Sequence, residues 1–303
     1  MDRLEAMAVL VATAETGSLS GAGRRLGMPL PTVSRKISEL EAHLNARLLT
    51  RSTRRLALTE AGATYVTASR RILEQVGEAE RAASGEYAAP RGELVVAAPI
   101  VFGRLHVLPA INEFLALYPD INVRLALSDR VVDLIDDHID LAVRIGALPD
   151  SAMIATRVGS MRRVVCASPA FLAKHREPRS PQDLRSLPCI TFFGSGSGAG
   201  WRFGSPGGKA DIVVDVTPRL SVNTAEAAVD AAISGVGVTC VLAYQAARAV
   251  AASELHVILQ DFEPPPAPVH LLHAGQATLP LKTRAFLDLA APYLRRALAD
   301  ILL

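Results

Sequence analysis

The chain has 303 residues, half of them apolar and a fifth charged, which suits about two globular domains with a substantial core. Disordered, low-complexity and collagen-like chains are excluded, because Gly (21) and Pro (19) take ordinary shares of it. The formal charge of +2 hides an asymmetry: residues 24–55 carry Arg24, Arg25, Arg35, Lys36, Arg47, Arg51, Arg54 and Arg55 against Glu39 and Glu41, a net of +6, and the rest of the chain is −4. A cationic module on a mildly acidic body points to a polyanionic partner for one end only.

In chain order, Leu4, Met7, Ala8, Val11 and Ala14 recur at helical spacing, and Gly17 then Ser18 supply a stop and a new N-cap. A short helix is predicted over 19–26, ended by Gly27. Pro29 and Pro31 shape the connection to a third helix, whose buried stripe is Val33, Ile37, Leu40 and Leu44. Its other side gathers Thr32, Arg35, Lys36 and Glu39 on one exposed surface. Leu48-Leu49 and Leu56-Ala57-Leu58 read as two short strands around the cationic turn Arg51-Ser52-Thr53-Arg54-Arg55, a wing behind three helices.

Thr59 is a suitable N-cap for a long helix on which Tyr65, Ser69, Ile72, Val76, Ala79 and Ala83 keep a heptad-like rhythm. The helix either packs on its own domain or pairs with a second copy. Its polar surroundings favour pairing. Residues 84–92, with Gly85, Pro90 and Gly92, mark the domain boundary.

Beyond it, strand-like and helical runs alternate: 94–98, a helix near 104–117, 121–127, a helix near 131–137, and 141–144. A second set holds 164–167, 190–193, 212–216, a helix near 224–234, 238–242 and a helix near 243–251. Such alternation predicts parallel sheets in two α/β lobes. The chain crosses between lobes at Gly159-Ser160-Met161 and returns at Pro264-Pro265-Pro266, a two-stranded hinge.

Several of these segments resemble the LysR-type transcriptional regulators, and the resemblance runs along the whole chain. It is densest in Glu15-Thr-Gly-Ser-Leu-Ser, Arg24-Arg-Leu-Gly, Val33-Ser-Arg-Lys-Ile, Leu40-Glu, Arg47-Leu-Leu-Thr-Arg51 and Leu58-Thr-Glu-Ala-Gly62. Leu127-Ser-Asp-Arg, Asp140-Leu-Ala-Val-Arg-Ile-Gly146 and Cys166-Ala-Ser-Pro-Ala-Phe171 look like the family's effector domain. The resemblance implies an α/β chain with an N-terminal winged helix-turn-helix, a linker helix that pairs two subunits, and a C-terminal two-lobed periplasmic-binding-protein-like domain. The expected boundaries are 1–59 for the DNA-binding head, 60–88 for the linker and 91–303 for the effector domain. Lobe I then takes about 91–161 and 267–303, and lobe II about 162–266. Family members are commonly tetramers, of which the sequence gives no direct sign. Two departures stand out. Gly21 and Gly23 occupy the second helix where the family often has alanine, predicting a softer head, and Leu30 stands where the family has a polar residue.

For the promoter DNA partner, the leading end of the recognition helix supplies Pro29, Leu30, Pro31 and Thr32, with Leu30 suited to thymine methyls. Arg35 matches the family's characteristic arginine and offers a planar donor fork for guanine or phosphate. Lys36 adds a cation, Ser34 contacts phosphate, Ser18 is a further DNA-binding candidate, and Arg51, Ser52, Thr53, Arg54 and Arg55 reach the backbone or minor groove. A solvated helix face and a solvated turn are the competing readings.

Effectors of two-lobed α/β proteins bind at the carboxyl ends of strands. That rule selects Pro99, Ile100, Val101, Phe102, Ser128, Asp129, Ile145, Gly146, Phe193, Val222, Asn223 and Thr224, with simple helix capping the alternative for Asn223 and Thr224. Apolar residues beside helix N-termini make a small carboxylate the preferred effector. Trp201 either packs in the second lobe, the favoured reading, or lids the site.

No cofactor, metal or catalytic constellation is predicted, so an enzyme is not expected. Gly194-x-Gly196-x-x-Ala199 opens no helix, and P-loop, GxSxG and HExxH patterns are missing. A free-standing solute-binding protein conflicts with the basic head. Cys166, Cys189 and Cys240 form no CxxC pair and fit small buried thiols better than a redox switch. The N-terminal run has no cleavage-site pattern, and no stretch approaches 18 uninterrupted apolar residues. The expected setting is the cytoplasm with no membrane partner, and effector-driven lobe closure is expected to alter DNA bending and RNA polymerase access.

Overall fold

The computed structural model describes residues 1–51, 56–83, 89–130, 133–134, 137–149, 153–192, 200–205, 211–275 and 279–299. They form two compact units, Met1–Ala89 and Pro90–Leu303.

In the first unit, the Asp2 carboxylate accepts the Leu4 and Glu5 N–H groups to start helix α1 (Arg3–Thr16), and Gly17 ends it at φ +65°. Ser18 caps α2 (Leu19–Leu26). Helix α3 (Leu30–Leu44) follows Pro29, whose φ of −60° is preset for a helix entry. Val9, Leu10, Ala22, Val33, Ile37, Leu40 and Leu48 close the core between the three helices. Strands β1 (Leu49–Arg51) and β2 (Leu56–Leu58) pair antiparallel, Leu49 opposite Leu58. Glu41 fixes their approach to α3, because its carboxylate accepts the Leu48 and Leu49 N–H groups at 2.8 and 3.1 Å.

Two glycines in this unit are spacers. A Cβ on Gly23 would lie 2.7 Å from the Met28 carbonyl oxygen, and one on Gly62 would lie 2.0 Å from that of Leu48. The glycine in α2 therefore lets backbones approach, which an alanine would prevent, and this offsets the helix softness that composition predicts.

Helix α4 (Glu60–Ala83) begins where Thr59 Oγ1 accepts the Gly62 N–H at 2.9 Å. Its heptad-like seam divides. Tyr65, Val66 and Ser69 pack toward the unit's own core, whereas Ile72 is 38% exposed and Ala79 is also open.

The second unit opens with β3 (Gly92–Ala98), then α5 (Ile100–Phe102), which runs through a π-helical turn (Gly103–Val107) into α6 (Leu108–Leu117). This apolar run is long enough to cross a bilayer by composition, but Ala110, Ile111 and Phe114 are buried as core. Strands β4 (Ile121–Leu127), β5 (Leu141–Ile145) and β6 (Met153–Met161) follow. The chain then enters the second lobe with β7 (Arg163–Ala167), α7 (Pro169–Lys174), β8 (Cys189–Phe192), β9 (Gly200–Phe203) and β10 (Ile212–Asp215). The lobe is completed by β11 (Pro218–Val222), α8 (Ala225–Ile233), β12 (Val238–Leu242), α9 (Ala243–Ala251) and β13 (His256–Ile258). Strand β14 (Ala267–Ala274) returns to the first sheet, and α10 (Leu281–Ala299) packs Phe286, Ala290 and Leu294 into its core.

The two five-stranded sheets have the orders β4-β3-β5-β14-β6 and β11-β8-β12-β7-β13. Both are mixed rather than wholly parallel. Strands β3, β4 and β5 are parallel, but β14 runs antiparallel to β5 and β6, and β7 antiparallel to β12 and β13. The strands by which the chain enters each lobe from the other, β7 and β14, are the reversed ones, whereas the outgoing β6 and β13 keep the direction of β5 and β12. Two further expectations change. Gly159, Ser160 and Met161 belong to β6, so the outward crossing falls at Arg162. The predicted helix over 131–137 is not found in its described part: Leu134 and Asp137 are in turns.

Candidate functional site

In the first unit the N-terminal end of α3 is open. Pro29, Leu30 and Pro31 are exposed, Leu30 by 48%, and no side chain caps the helix. The positive end of the helix dipole thus faces outward, with the Thr32 and Val33 N–H groups held by the Pro29 carbonyl at 2.9 and 3.1 Å. Arg35 lies further along, its side chain 69% exposed and only loosely placed against Glu39 at 3.9 Å. Thr32 and Ser34 are half-buried. Ser18 spends its hydroxyl on the Gly21 N–H at 3.0 Å.

Lys36 departs from the expected exposed face. Its ammonium pairs with Glu5 of α1 and its side chain is only 14% exposed. It points round the helix toward α1 because position 36 borders the Val33–Ile37–Leu40 stripe. Arg51 lies in β1, its backbone opposite Leu56. Ser52, Thr53, Arg54 and Arg55 lie outside the described residues.

In the second unit, most of the described predicted turns gather at the strand ends. Pro99 precedes α5, and its carbonyl accepts the Gly103 N–H at 2.7 Å. Ser128 N–H donates to the Ala98 carbonyl at 3.0 Å, and Asp129 Oδ1 accepts the Ile100 N–H at 3.1 Å, tying β4 to the start of α5. Ile145 ends β5, and Gly146, at φ +118°, donates to the Pro268 carbonyl. On the other lobe, Val222 ends β11, Asn223 follows in a bend, and Thr224 caps α8 by accepting the Ala227 N–H at 3.3 Å. Phe193 lies outside the described residues.

Val101 and Phe102 do not form an open apolar lining. Both are buried in the first lobe's core, where the Phe102 ring meets His106 and Tyr244 at 4.9 and 5.5 Å. Of the apolar trio only Ile100 is half-buried. Trp201 packs beside Phe203 and Val214 in the second lobe.

Four residues that sequence reasoning missed join the lobes. Arg104, on the π-helical turn, donates to Glu226 of α8 at 2.8 Å across the crevice. Tyr244 of α9 inserts into the first lobe's core beside Phe102 and His106. Extending the strand-end rule by one helical turn finds Arg104 and Glu226; nothing in the local pattern marks Tyr244. π-Helical turns often sit at functional sites. Burial lowers the His106 pKa, and it raises those of Asp129 and Tyr244, with Glu226 adding to the rise at Asp129 and Asp129 to that at Tyr244.

The chain matches two family models: "Bacterial regulatory helix-turn-helix protein, lysR family" over residues 4–63, and "LysR substrate binding domain" over 88–295. It is 34% identical to the HTH-type transcriptional repressor PA14_22550 of Pseudomonas aeruginosa, over 95% of this chain and 91% of that protein. Among solved structures, CrgA, a LysR-type transcriptional regulator from Neisseria meningitidis, is similar with a TM-score of 0.60 and 30% identity over 96% of this chain and 98% of that one. The full-length Vibrio cholerae virulence activator AphB has a TM-score of 0.61 at 26% identity, covering 96% of this chain and 99% of its own. With both models matched and full-length relatives of the same build, the chain belongs to the LysR family of transcriptional regulators, in which a DNA-binding helix-turn-helix is joined to an effector-binding domain.

Proposed function

We propose that the open end of α3 enters the major groove of promoter DNA, with Arg35 reading base edges and Leu30, Pro31 and Thr32 lying along the same path. The wing around Arg51, Ser52, Thr53, Arg54 and Arg55 supplies backbone or minor-groove contacts. The head occupies 1–59, the linker helix 60–88 pairs two copies through its distal seam, and the effector domain takes 91–303, with lobes at about 91–161 plus 267–303 and 162–266. A small molecule bound among Ile100, Ser128, Asp129, Gly146, Asn223 and Thr224 changes lobe closure, and thereby DNA bending and RNA polymerase access in the cytoplasm.

The observation that carries this reading is Arg35. It stands 69% exposed on a helix whose opposite stripe, Val33, Ile37 and Leu40, is buried. A guanidinium so placed offers two parallel donors to guanine O6 and N7. Lys36, engaged with Glu5, holds α3 on α1 and reads no base. The test is binding of Arg35→Ala to an operator selected from random sequence and to bulk DNA. Operator affinity falls by about 1–3 kcal/mol while bulk affinity changes far less. An equal fall on both removes the base-reading role.

A further inference from the structure

We propose that the crevice takes a small molecule bearing a cationic nitrogen, an ammonium or amidinium, whose N–H is accepted by Asp129 Oδ2. This rests on the effector reading of the crevice and names its ligand class, which differs from the carboxylate expected from sequence.

The Asp129 carboxylate is held in place by one oxygen. Its Oδ1 accepts the Ile100 N–H at 3.1 Å at the start of α5. Its Oδ2 is fully buried and has no hydrogen-bond partner among the described residues. A carboxylate oxygen withdrawn from water without a donor is costly to keep, and persistent unpaired groups of this kind mark places where a ligand completes the bonding.

The surrounding charges point the same way. Across the crevice Glu226 is the second carboxylate, and Arg104, 2.8 Å from it, is its cation. Glu226 disfavours the charged form of Asp129, which places the two carboxylates within electrostatic reach. These three side chains carry two negative charges and one positive, and the half-buried Arg144 guanidinium of β5 lies with Nη1 3.5 Å from the carbonyl of Arg130, the residue after Asp129. An incoming anion would have to displace Glu226 from Arg104 and then face both carboxylates. An incoming cation is attracted by both carboxylates and reaches the buried Oδ2 as the lobes part to uncover it. His106 Nε2 is also buried without a partner among the described residues, its ring tilted by 52° against Phe102 in the first lobe.

The test uses the full-length protein, thermal melting and titration calorimetry at pH 7.5, with three shape-matched pairs: phenethylamine and 3-phenylpropionate, cadaverine and glutarate, benzamidine and benzoate. At least one amine or amidine binds more tightly than its carboxylate partner. Asp129→Asn keeps an oxygen for the Ile100 N–H and weakens that binding by tenfold or more; Asp129→Ala does the same. Binding only by carboxylates, cation binding indifferent to both variants, or silence of all six compounds overturns the cation assignment. The crevice itself is tested separately with Ile100→Trp, which fills its mouth. A metabolite library whose binders all ignore Ile100→Trp removes the effector reading, whereas carboxylate binding abolished by Ile100→Trp leaves that reading intact and sinks only the cation.

Discussion

Arg162 and Glu263 clasp the two strands that pass between the lobes. Arg162 Nε lies 2.8 Å from one carboxylate oxygen of Glu263 and Nη2 lies 2.7 Å from the other. Arg162 is the single residue between β6 and β7, and Glu263 opens the Pro264–Pro266 return to β14. Two parallel charge-assisted bonds set an orientation as well as an energy, so the hinge has a fixed rest position. Arg162→Gln and Glu263→Gln each lower unfolding free energy by about 1–3 kcal/mol. The double variant costs much less than the sum of the two, because the bond is broken once. Urea denaturation of the four proteins measures the coupling, and additive losses would show that the two side chains act separately.

That clasp also marks how far the sequence alone reaches. The triple proline announces the return crossing, and Gly159-Ser160-Met161 sits beside the outward one, but only the fold shows that Arg162 and Glu263, 101 residues apart, meet. Capping and periodicity located α1, α2 and α3 because Gly17, Ser18 and Gly27 act through neighbours within four residues, while the Asp2 cap of α1 came only from the structure. Sheet direction escaped, since a strand's sequence says nothing about which end it enters from. Lys36 escaped for a related reason: its partner Glu5 is 31 residues away, and a cation on a helix looks alike whether it faces phosphate or a carboxylate.

The Lys36–Glu5 pair makes a distinguishing prediction for the head. Lys36→Ala removes a largely covered ion pair between α3 and α1, so it lowers the melting temperature of the head. Operator and random DNA then lose affinity by the same factor, and the salt dependence of binding keeps its slope, because no phosphate contact is lost. A slope reduced by about one ion would place Lys36 on the DNA backbone instead.

Gly62 permits the close approach of α4 to the segment before β1. A methyl group there would stand 2.0 Å from the Leu48 carbonyl oxygen, whose neighbouring N–H is already fixed by Glu41. Gly62→Ala therefore forces backbone apart and costs about 1–3 kcal/mol or more. Circular dichroism melts should show the loss, and Ala63→Gly next to it, on an exposed helical position, should cost only about 0.5–1 kcal/mol.

The three cysteines are buried thiols. Burial pushes Cys166 and Cys189 up to about 12, with Cys240 adding to both, and it raises Cys240 as well. The thiolate is the reactive form, so native protein at pH 8 leaves a disulfide reagent unconsumed over minutes, and denaturant releases three equivalents. Rapid reaction of one thiol in the folded state would reopen redox sensing.

Asp129 should weaken the fold that holds it. Burial raises its pKa above the ordinary carboxylate value of 3.8, with the Ile100 N–H opposing and Glu226 adding to the rise. A carboxyl whose folded-state pKa is raised contributes its stability fully below that ordinary value and loses it as pH climbs through the folded-state value. Ionising Asp129 thus costs the folded state stability. Asp129→Asn, which keeps the Ile100 hydrogen bond and carries no charge, melts higher than the parent at pH 7.5, and the gain shrinks as pH falls toward 4. A gain that grew on acidification would contradict burial as the dominant cause. Stability given up at an unpaired group is a common accompaniment of binding sites. Adding the tightest cation of the crevice panel at saturating concentration should therefore reverse the order at pH 7.5, raising the melting temperature of the parent above that of Asp129→Asn, because only the aspartate form pairs its buried oxygen with the ligand.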